Sequence, residues 1–571
     1  MDGTVETGGT AGTTGAAGLS DPGLNIATAW EAIADELGDA DALIHGDVVR
    51  SWSDFERIGS LVAGHLTAAG LGPDSKVALY LHNCTEYLEA TFGAFKARCV
   101  PVNVNYRYLE AELAYLLENS DAEAVVVSAE LVGRLEAVLD DLPLVRTVIV
   151  VDPTEEHPVP DRELPGGVVS FDEAIAAATP MPRIERSGDD LWFLYTGGTT
   201  GMPKGVMWPH RSLVGTAGPT FRVIKQPVPT SPEEFAAAAR TFQESGRAIR
   251  LLAAAPLMHG TSGIAANGVL LAGGCVATLT ERSFDAHELC RTVQERRITQ
   301  LTIVGDAFAK PILGALEEAA SVGEPYDLSS LRMVVSSGVI WSQPVKDALL
   351  EWTDVILADL LGSSEGTGFG TSVTKKGASA GTAAFRLGEH AKVFTEDGVE
   401  VEPGSGEVGV LAVGGPIPIG YYKDTSKTAG TFRNFGGRVW SVPGDFATVE
   451  ADGTIKLLGR GSVCINTAGE KVYPEEVEEA LKLHPAVQDA NVVGLPDDKW
   501  GQSVTGVVAL VPGVEDSEEL RAEVIGSTKE HLAGYKCPKR LVVVDRIQRG
   551  PNGKADYRWA TAMAEDSVAA G

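Results

Sequence analysis

The sequence predicts an α/β protein with a large N-terminal domain and a small α+β C-terminal domain. Short apolar runs alternate with stretches of helical periodicity from residue 26 onward, and this alternation is typical of α/β layers. The chain also has 571 residues, which exceeds the size at which a single hydrophobic core keeps growing. Two or more domains are therefore expected.

The alternation can be followed along the large domain. Strands are predicted at residues 77–81, 124–127, 145–151 and 301–304. Helices are predicted at residues 86–96, 131–139 and 307–316. Residues 225–250 have proline-rich edges around a helical stretch at 232–244, so we interpret them as an insertion on the large domain.

A second region begins after residue 458. Gly459-Arg460-Gly461-Ser462 opens a run of short strands with two helices, near residues 474–483 and 517–532. Its size of about a hundred residues is within the usual range for a domain. We therefore predict a disordered tail rich in Gly, Thr and Ala at residues 1–22, a large domain at 23–458 and a small domain at 459–571.

Composition excludes several classes of partner. The chain has 78 acidic and 47 basic residues and a net charge of −31, which repels nucleic acids and anionic lipid surfaces. No apolar run reaches the roughly 18 residues that a membrane span needs. The six cysteines form no CxxC pair and have no metal-binding spacing, which suits a reducing compartment. We expect a cytoplasmic protein without a nucleic-acid partner or a transmembrane segment.

Residues 194–205 form the segment with the most specific chemistry. Glycines let backbone N–H groups approach an anion, and threonines and a lysine add further donors. The donors are Thr196, Gly197, Gly198, Thr199, Thr200, Gly201 and Lys204. The spacing is not that of a Walker A loop, because Pro203 precedes Lys204 and no Ser or Thr follows the lysine. We predict a different kind of phosphate-binding loop.

This loop resembles the YTSGTTGxPKG signature of the adenylate-forming superfamily, which comprises acyl-CoA synthetases, luciferases and nonribosomal-peptide adenylation domains. Gly197 stands in place of the serine. Further segments match this family in its order, at residues 256–260, 336–338, 362–365, 442–445, 459–460, 469–478 and 551–554. In finer detail, residues 195–201, 206–208, 459–462 and 556–559 resemble actinobacterial fatty-acid and steroid side-chain CoA ligases.

The resemblance implies a fold and an activity. The large domain would contain α/β sheets and a distorted β-barrel, and the small domain would move about a hinge near residues 460–462. The enzyme would be an ATP-dependent acid:CoA ligase, which converts a hydrophobic carboxylic acid to acyl-AMP and transfers the acyl group to CoA. Mg²⁺ would be the cofactor. The small-molecule substrates would be ATP, CoA and the acid. A homodimer is left open.

The resemblance also assigns nucleotide-binding roles. Residues 196–204 would hold the phosphates, and Glu365 would hold Mg²⁺, which favours one or two carboxylates plus phosphate oxygens. Gly338 would lie beside the adenine, and Ser364 would also bind the nucleotide. Asp445 would accept hydrogen bonds from both ribose hydroxyls, since a carboxylate has two acceptor oxygens.

The catalytic charge is predicted near the end of the chain. Lys554 would act as a point charge between the acyl carboxylate and the α-phosphate, and Thr196 and Glu365 would assist it. Arg460 would reach the ribose or a phosphate. The residues predicted at the hinge and on the CoA side are Ser462, Gly469, Glu470 and Lys471.

The acyl pocket is predicted around His259, Gly260 and Thr261. His259 is interpreted as a pocket-lining residue rather than an acid–base group, because a lone histidine beside apolar residues is commonly a packing residue. The walls would come from residues 225–250, 265–270 and 304–309. Residues 263–271 carry no charge, so we expect a mainly apolar acid.

Two positions depart from the family pattern. Leu361 replaces the usual tyrosine, which puts an aromatic stack on adenine in doubt there, and Ser462 replaces a charged hinge residue. Residues 259–263 have no acid to pair with a substrate amine, which disfavours amino-acid substrates. The alternatives are an acyl-AMP ligase that loads a separate carrier protein, a luciferase-like oxygenase, and a non-catalytic nucleotide-binding module.

Overall fold

The structure is a computed structural model that describes residues 24–196, 202–222, 224–338, 341–377, 384–460, 465–467, 470–497, 501–532, 534–549 and 555–570. The helices are α1 (Ile26–Leu37), α2 (Trp52–Ala68), α3 (Thr85–Lys96), α4 (Glu110–Ser120), α5 (Val132–Leu139), α6 (Phe171–Ala177), α7 (His210–Thr216), α8 (Gly218–Arg222), α9 (Pro232–Glu244), α10 (Gly260–Leu271), α11 (Ala286–Glu295), α12 (Gly305–Ser321), α13 (Gln343–Trp352), α14 (Thr425–Thr431), α15 (Pro474–Lys482), α16 (Glu518–Thr528) and α17 (Tyr557–Ala570). Within these described ranges, no helix combines the length and apolar character needed to cross a bilayer.

The strands of the described residues form three sheets. They are β1 (Asp41–His45), β2 (Val48–Ser51), β3 (Lys76–Tyr80), β4 (Val100–Asn103), β5 (Ala122–Ser128), β6 (Thr147–Val151), β7 (Val168–Ser170), β8 (Leu191–Thr196), β9 (Lys204–Pro209), β10 (Arg250–Ala253), β11 (Cys275–Thr278), β12 (Gln300–Ile303), β13 (Met333–Ser337), β14 (Ile356–Ser363), β15 (Gly366–Thr374), β16 (Ala384–Leu387), β17 (Ala391–Phe394), β18 (Gly409–Val413), β19 (Gly420–Tyr421), β20 (Phe432–Phe435), β21 (Arg438–Ser441), β22 (Asp445–Val449), β23 (Thr454–Arg460), β24 (Ile465–Thr467), β25 (Glu470–Val472), β26 (Val487–Asp497), β27 (Gly501–Leu510) and β28 (Arg540–Val544).

The first sheet has a parallel half and an antiparallel half. Its strand order is β2-β1-β11-β10-β12-β13-β14-β15-β16-β23-β22-β18-β21-β20, and β17 pairs with β18. Pairing is parallel from β1 to β14 and antiparallel from β14 onward. Helices α11, α12 and α13 bury their apolar side chains against one face of the parallel half. The predicted strand at 301–304 and the predicted helix at 307–316 correspond to β12 and α12.

The second sheet has the order β19-β9-β8-β4-β3-β5-β6-β7. Its pairing is parallel from β8 to β7, while β8, β9 and β19 pair antiparallel. Strands β3 and β6 are buried along their whole length, as expected for parallel strands covered on both faces. These buried strands are the apolar runs that the sequence predicted near residues 77–81 and 145–151.

A layer of helices lies between the two sheets. Helices α1, α2, α3, α7 and α10 share one apolar cluster with strands of both sheets, including Val77 of β3 and Leu251 of β10. Helix α9 matches the predicted stretch at residues 232–244, and the Ser231 side chain caps its N-terminus ahead of Pro232. The sheets and helices thus place the carboxyl ends of β8 and β13 around a common space, where α/β proteins commonly bind ligands.

The antiparallel half of the first sheet encloses its own apolar cluster. Strands β15, β16, β17, β18, β22 and β23 contribute to this cluster, which includes Phe369, Val393, Leu411 and Ile455. The arrangement resembles the predicted distorted β-barrel, although the pairing of the described strands follows an open path rather than a closed ring.

The third sheet forms the small domain. Its order is β25-β24-β27-β26, and β28 pairs with β27 in parallel. Helices α15 and α16 match the two predicted helices, which confirms an α/β protein with a large domain and a small α+β domain. The expectation of only short strands and two helices was wrong, because β26 and β27 form a long hairpin and α17 covers it. Burial of Ala560 and Ala564 against this hairpin explains the third helix.

Candidate active site

A cavity of about 1280 Å³ lies at the carboxyl ends of β8 and β13. Six residues predicted from the sequence line it, namely Thr196, His259, Gly260, Thr261, Gly338 and Ser364. Lys204, Glu365 and Asp445 are not among the described residues of its lining, but Lys204 pairs with Thr196 across the β8–β9 hairpin and Glu365 follows Ser364. The structure therefore gathers segments that are far apart in the sequence around one space.

The predicted phosphate loop connects the two strands of an antiparallel hairpin. Thr196 ends β8 directly opposite Lys204, which begins β9. Gly197, Gly198, Thr199, Thr200 and Gly201 lie outside the described residues.

Lys204 already has an acidic partner. Its ammonium forms an ion pair with Asp424, whose other carboxylate oxygen accepts a hydrogen bond from the backbone N–H of Lys427 at the start of α14. The hydrogen bond from Lys204 lowers the pKa of the Asp424 carboxyl. Asp424 is thus the partner of this cation at the base of the loop.

Asn103, at the end of β4, joins the phosphate loop to the acyl-pocket segment. Its Oδ1 accepts a 2.6 Å hydrogen bond from the backbone N–H of Tyr195, and its Nδ2 donates to the Tyr195 carbonyl at 3.1 Å. Nδ2 also donates to the carbonyl of Met258 at 2.7 Å. Because Asn103 is buried, these bonds fix Thr196 and His259 relative to each other.

A second asparagine, Asn83 in the loop after β3, holds the same pocket segment. Nδ2 of Asn83 donates to the carbonyls of Ala253 and Ala255, each at 3.2 Å. Its Oδ1 accepts a 2.8 Å hydrogen bond from the N–H of Leu257. Asn83 and Asn103 together attach the segment after β10, in the first sheet, to the second sheet.

Glu365 lies in the turn between β14 and β15. The hydroxyl of Tyr421 donates a hydrogen bond to Glu365 Oε1 at 2.8 Å. The backbone is held as well, because Ser441 Oγ donates to the Glu365 carbonyl at 2.6 Å and Trp208 Nε1 donates to the Ser364 carbonyl at 3.0 Å. The turn is therefore fixed by residues of β19, β21 and β9.

Gly338 follows β13 with a backbone φ of +94°. A side chain here would be strained, because residues other than glycine rarely adopt this conformation. An added Cβ would meet Val304 and Thr261 at no closer than 3.9 Å, so the backbone angle rather than the available space favours glycine. Leu361, which replaces an expected tyrosine, also lines the cavity.

All three predicted wall segments contribute to the cavity. Val228 and Ile249 come from the insertion, Ala265 comes from α10, and Val304 follows β12. The hydroxyls of Ser262 and Thr302 lie 2.8 Å apart and attach α10 to β12. His259 caps the N-terminus of α10 through its backbone and lines the cavity, as expected of a pocket-lining residue.

Asp445 and Arg460 are neighbours on paired strands. They face each other in the antiparallel register of β22 and β23. The side chains of Arg460, Glu470 and Lys471 are outside the described part of the chain, although their backbones lie in β23 and β25. Ser462, Gly469 and Lys554 lie outside it entirely, as does Cys464.

The small domain contacts the large domain beside this site. The rings of Phe446 and Tyr473 lie 5.6 Å apart, and Lys456 forms a 3.5 Å ion pair with Glu476. Residues 555–558, which directly follow Lys554, line the cavity together with Thr196 and His259. The start of α17 is thus next to the predicted nucleotide site.

The residues that hold this site together were not predicted from the sequence. Asn103 follows apolar Val102 at the end of a strand, and a polar residue in such a buried run is a signal that could have been used. Tyr421 and Asp424 lie in the segment Gly420-Tyr421-Tyr422-Lys423-Asp424, whose sequence does not indicate its partners. Their roles depend on contacts that only the folded chain brings together.

Comparison with known families identifies the class of protein. Residues 30–422 match the AMP-binding enzyme family, and residues 476–554 match the AMP-binding enzyme C-terminal domain. The anthranilate CoA ligase AuaEII in complex with anthranoyl-AMP superposes with a TM-score of 0.79 at 22% identity, covering 96% of this chain and 99% of that one. ATP-bound MatB from Rhodopseudomonas palustris superposes with a TM-score of 0.74 at 23% identity, covering 95% and 99% of the two chains. The chain belongs to the AMP-binding enzyme family.

Curated relatives extend this result to the reaction. A medium/long-chain-fatty-acid–CoA/3-oxocholest-4-en-26-oate–CoA ligase of Mycobacterium tuberculosis is 42% identical, over 96% of this chain and 98% of the relative. A 3-oxocholest-4-en-26-oate–CoA ligase of Rhodococcus rhodochrous is 41% identical, over 94% and 95% of the two chains. The prediction of an AMP-forming acyl-CoA synthetase that resembles actinobacterial CoA ligases is confirmed. ATP and CoA as substrates fit this family.

Proposed function

We propose that this acyl-CoA synthetase activates a long, mainly apolar acid, either a medium- or long-chain fatty acid or a steroid side-chain acid such as 3-oxocholest-4-en-26-oate. The acid reacts with ATP to give acyl-AMP and pyrophosphate, and CoA then displaces AMP to give the thioester. The name of the Mycobacterium tuberculosis relative gives both kinds of acid as substrates, and that of the Rhodococcus rhodochrous relative gives the steroid acid. The apolar walls contributed by Val228, Ile249, Ala265 and Val304 support the same substrates for this chain.

The observation that carries the proposal is that one cavity is lined by the phosphate-loop residue Thr196, the pocket residue His259 and residues 555–558 next to Lys554. Adenylation needs a carboxylate, an α-phosphate and a neutralising charge at one point. Thr196 lies in the lining of this cavity, its apolar walls suit a hydrophobic acid, and Lys554 would supply the charge.

Thr196 and Lys204 bind the ATP phosphates, and Asp445 binds the ribose. Lys204 exchanges its ion pair with Asp424 for the phosphates, since both partners are partly exposed to solvent. Glu365 holds Mg²⁺ when the ion is bound, and the ion neutralises phosphate charge. Among the described residues, no group of three or more His, Cys, Asp or Glu side chains could hold a metal ion.

Lys554 is the adenylation charge, and described residues on either side of its segment pair with each other. Residues 549 and 555 on either side of it form an antiparallel bridge. Arg549 also forms an ion pair with Asp489 of β26, with Nε and Oδ2 2.9 Å apart. We place the domain boundary near residue 459 and the hinge at residues 460–462, with Gly469, Glu470 and Lys471 on the CoA side.

A substrate panel tests the proposal. Pyrophosphate release is measured with saturated fatty acids of increasing length, aryl acids, amino acids, dicarboxylates and 3-oxocholest-4-en-26-oate. We expect kcat/KM to be highest for long fatty acids or the steroid acid. A preference for amino acids or dicarboxylates would contradict the apolar pocket.

A further inference from the structure

One wall of the cavity is built from alternate residues of three neighbouring strands. The residues are Gln300 of β12, Met333, Val335 and Ser337 of β13, and Ile356, Ala358 and Leu360 of β14. Successive side chains of a strand point to opposite faces. The intervening Leu301, Val334 and Leu357 accordingly belong to the cluster under α11, α12 and α13. The cavity therefore lies on the α10 face of the sheet and extends along its strands.

This cavity runs from the carboxyl ends of the strands to their amino ends. Gly338 lines it at one end, and Ile249, Gln300, Met333 and Ile356 line it at the other. At about 3.3 Å per residue, the path from Met333 to Gly338 covers roughly 16 Å. An acid whose carboxylate reaches Thr196 would therefore place the far end of its acyl group beside these amino-end residues.

Gln300 is the polar member of that far edge. Its neighbours Ile249, Met333 and Ile356 are apolar, and its own side chain is half-buried. The Gln300 amide makes no hydrogen bond to another side chain or to the backbone within the described residues. An amide in this position has both donors and an acceptor available for a ligand.

We propose that Gln300 is a specificity-determining residue, whose amide N–H donates a hydrogen bond to an oxygen at the end of the acyl group opposite to the carboxylate. A ring ketone of a steroid acid is such an acceptor. This inference rests on the proposed function, because it needs the carboxylate to lie at the Thr196 end of the cavity. A site that hydrogen-bonds a substrate group rejects the analogue that lacks it.

The test compares kcat/KM for 3-oxocholest-4-en-26-oate and for the same acid without the ketone. We expect the wild type to prefer the ketone, and Gln300→Met, which keeps the length of the side chain, to lose about tenfold in that preference. Gln300→Glu keeps an acceptor but loses the N–H donors, so it should lose the preference too. Met333→Leu changes the same edge without a polar group and should leave the ratio as it is in the wild type.

A straight-chain fatty acid of matching length separates the possible failures. Gln300→Met should retain or improve kcat/KM for this acid, because it has no distal oxygen. The role of Gln300 would be overturned if the wild type had equal kcat/KM for the two steroid acids. It would also be overturned if the enzyme turned over only the fatty acid. Either result would leave the ligase assignment intact. Failure of every acid in the presence of ATP and CoA would instead overturn the proposed function.

Discussion

The Tyr421 hydroxyl donates a 2.8 Å hydrogen bond to Oε1 of Glu365, the carboxylate proposed to hold Mg²⁺. Tyr421 is buried, and β19 pairs with β9, which begins at Lys204. This contact therefore links the proposed metal ligand to the strand that follows the phosphate loop.

Tyr421→Phe should raise the Mg²⁺ concentration needed for half-maximal pyrophosphate release by about tenfold, because a hydrogen bond to a charged group contributes roughly 1.5–3 kcal/mol. Tyr422→Phe is the matched control, since the Tyr422 hydroxyl donates to Asp121 instead. A similar Mg²⁺ dependence for both variants would mean that Tyr421 does not position Glu365.

Glu365→Gln should have a larger effect than Tyr421→Phe, because a neutral amide cannot offset the charge of the cation. We expect loss of most activity at millimolar Mg²⁺ and partial recovery at higher concentrations. Titration of Mg²⁺ at saturating ATP measures this effect. Wild-type activity and metal dependence in this variant would remove Glu365 as the ligand.

Asn103→Ala should lower kcat/KM for both ATP and the acid, since Asn103 binds the backbone on both sides of the site. Asn83→Ala should lower mainly the kcat/KM for the acid, because the side chain of Asn83 binds only the pocket segment. Each change leaves buried backbone groups without a partner, at about 1–3 kcal/mol for each group. Thermal unfolding midpoints identify a variant that has lost activity only because it is unstable. If Asn103→Ala and Asn83→Ala changed kcat/KM for ATP and for the acid in the same way, the separate roles of the two residues would be contradicted.

His210 predicts how stability depends on pH. Burial lowers the pKa of this imidazole to about 3, and its Nδ1 accepts a hydrogen bond from the N–H of Ile26. The imidazole binds a proton near pH 6.5 in the unfolded chain but not in the folded chain. The contribution of His210 to the free energy of unfolding is therefore complete above pH 6.5 and is lost as pH falls toward 3.

His210→Asn keeps an acceptor but does not titrate. Between pH 7 and pH 5 the wild type should lose about 2 kcal/mol more of unfolding free energy than this variant. Thermal unfolding of both proteins across that range measures the difference. Parallel pH profiles would show that His210 is protonated in the folded state as easily as in the unfolded one.

Much of the fold follows from local sequence patterns. Helix α9 begins and ends where the sequence predicted, since Ser231 and Pro232 are strong N-terminal signals and Phe235 and Phe242 share one face. Helix α17 was missed because it is stabilised by packing against β26 and β27 rather than by a clear amphipathic pattern. The domain boundaries remain predictions.

The chemistry of the candidate site could be proposed from single segments of the sequence: Thr196 and the residues around His259 line the cavity, while the role of the phosphate loop remains a prediction. The hydrogen bonds that support the site could not be predicted from the sequence. Tyr421 and Glu365 are 56 residues apart, and Asn103 and Met258 are 155 residues apart, so only the packing of the two sheets brings them together. The length of the acyl cavity likewise depends on how α10 covers β12, β13 and β14.

Lys554→Ala tests whether Lys554 serves acyl-AMP formation and not thioester formation. Loss of a preorganised charge at a transition state typically costs about a hundred- to a thousandfold in rate. The variant should therefore form acyl-AMP slowly from acid and ATP, yet convert supplied acyl-AMP and CoA to the thioester at close to the wild-type rate. Single-turnover assays measure both steps, and equal losses would mean that Lys554 serves structure or general substrate binding.

The most direct test of the acid:CoA ligase assignment is AMP release from ATP, Mg²⁺ and a long-chain fatty acid, measured with and without CoA while the thioester is quantified. We predict that multiple-turnover AMP release requires CoA and that one acyl-CoA forms for each AMP. Acyl-AMP that accumulates and does not respond to CoA would contradict the assignment and favour a ligase that loads a carrier protein.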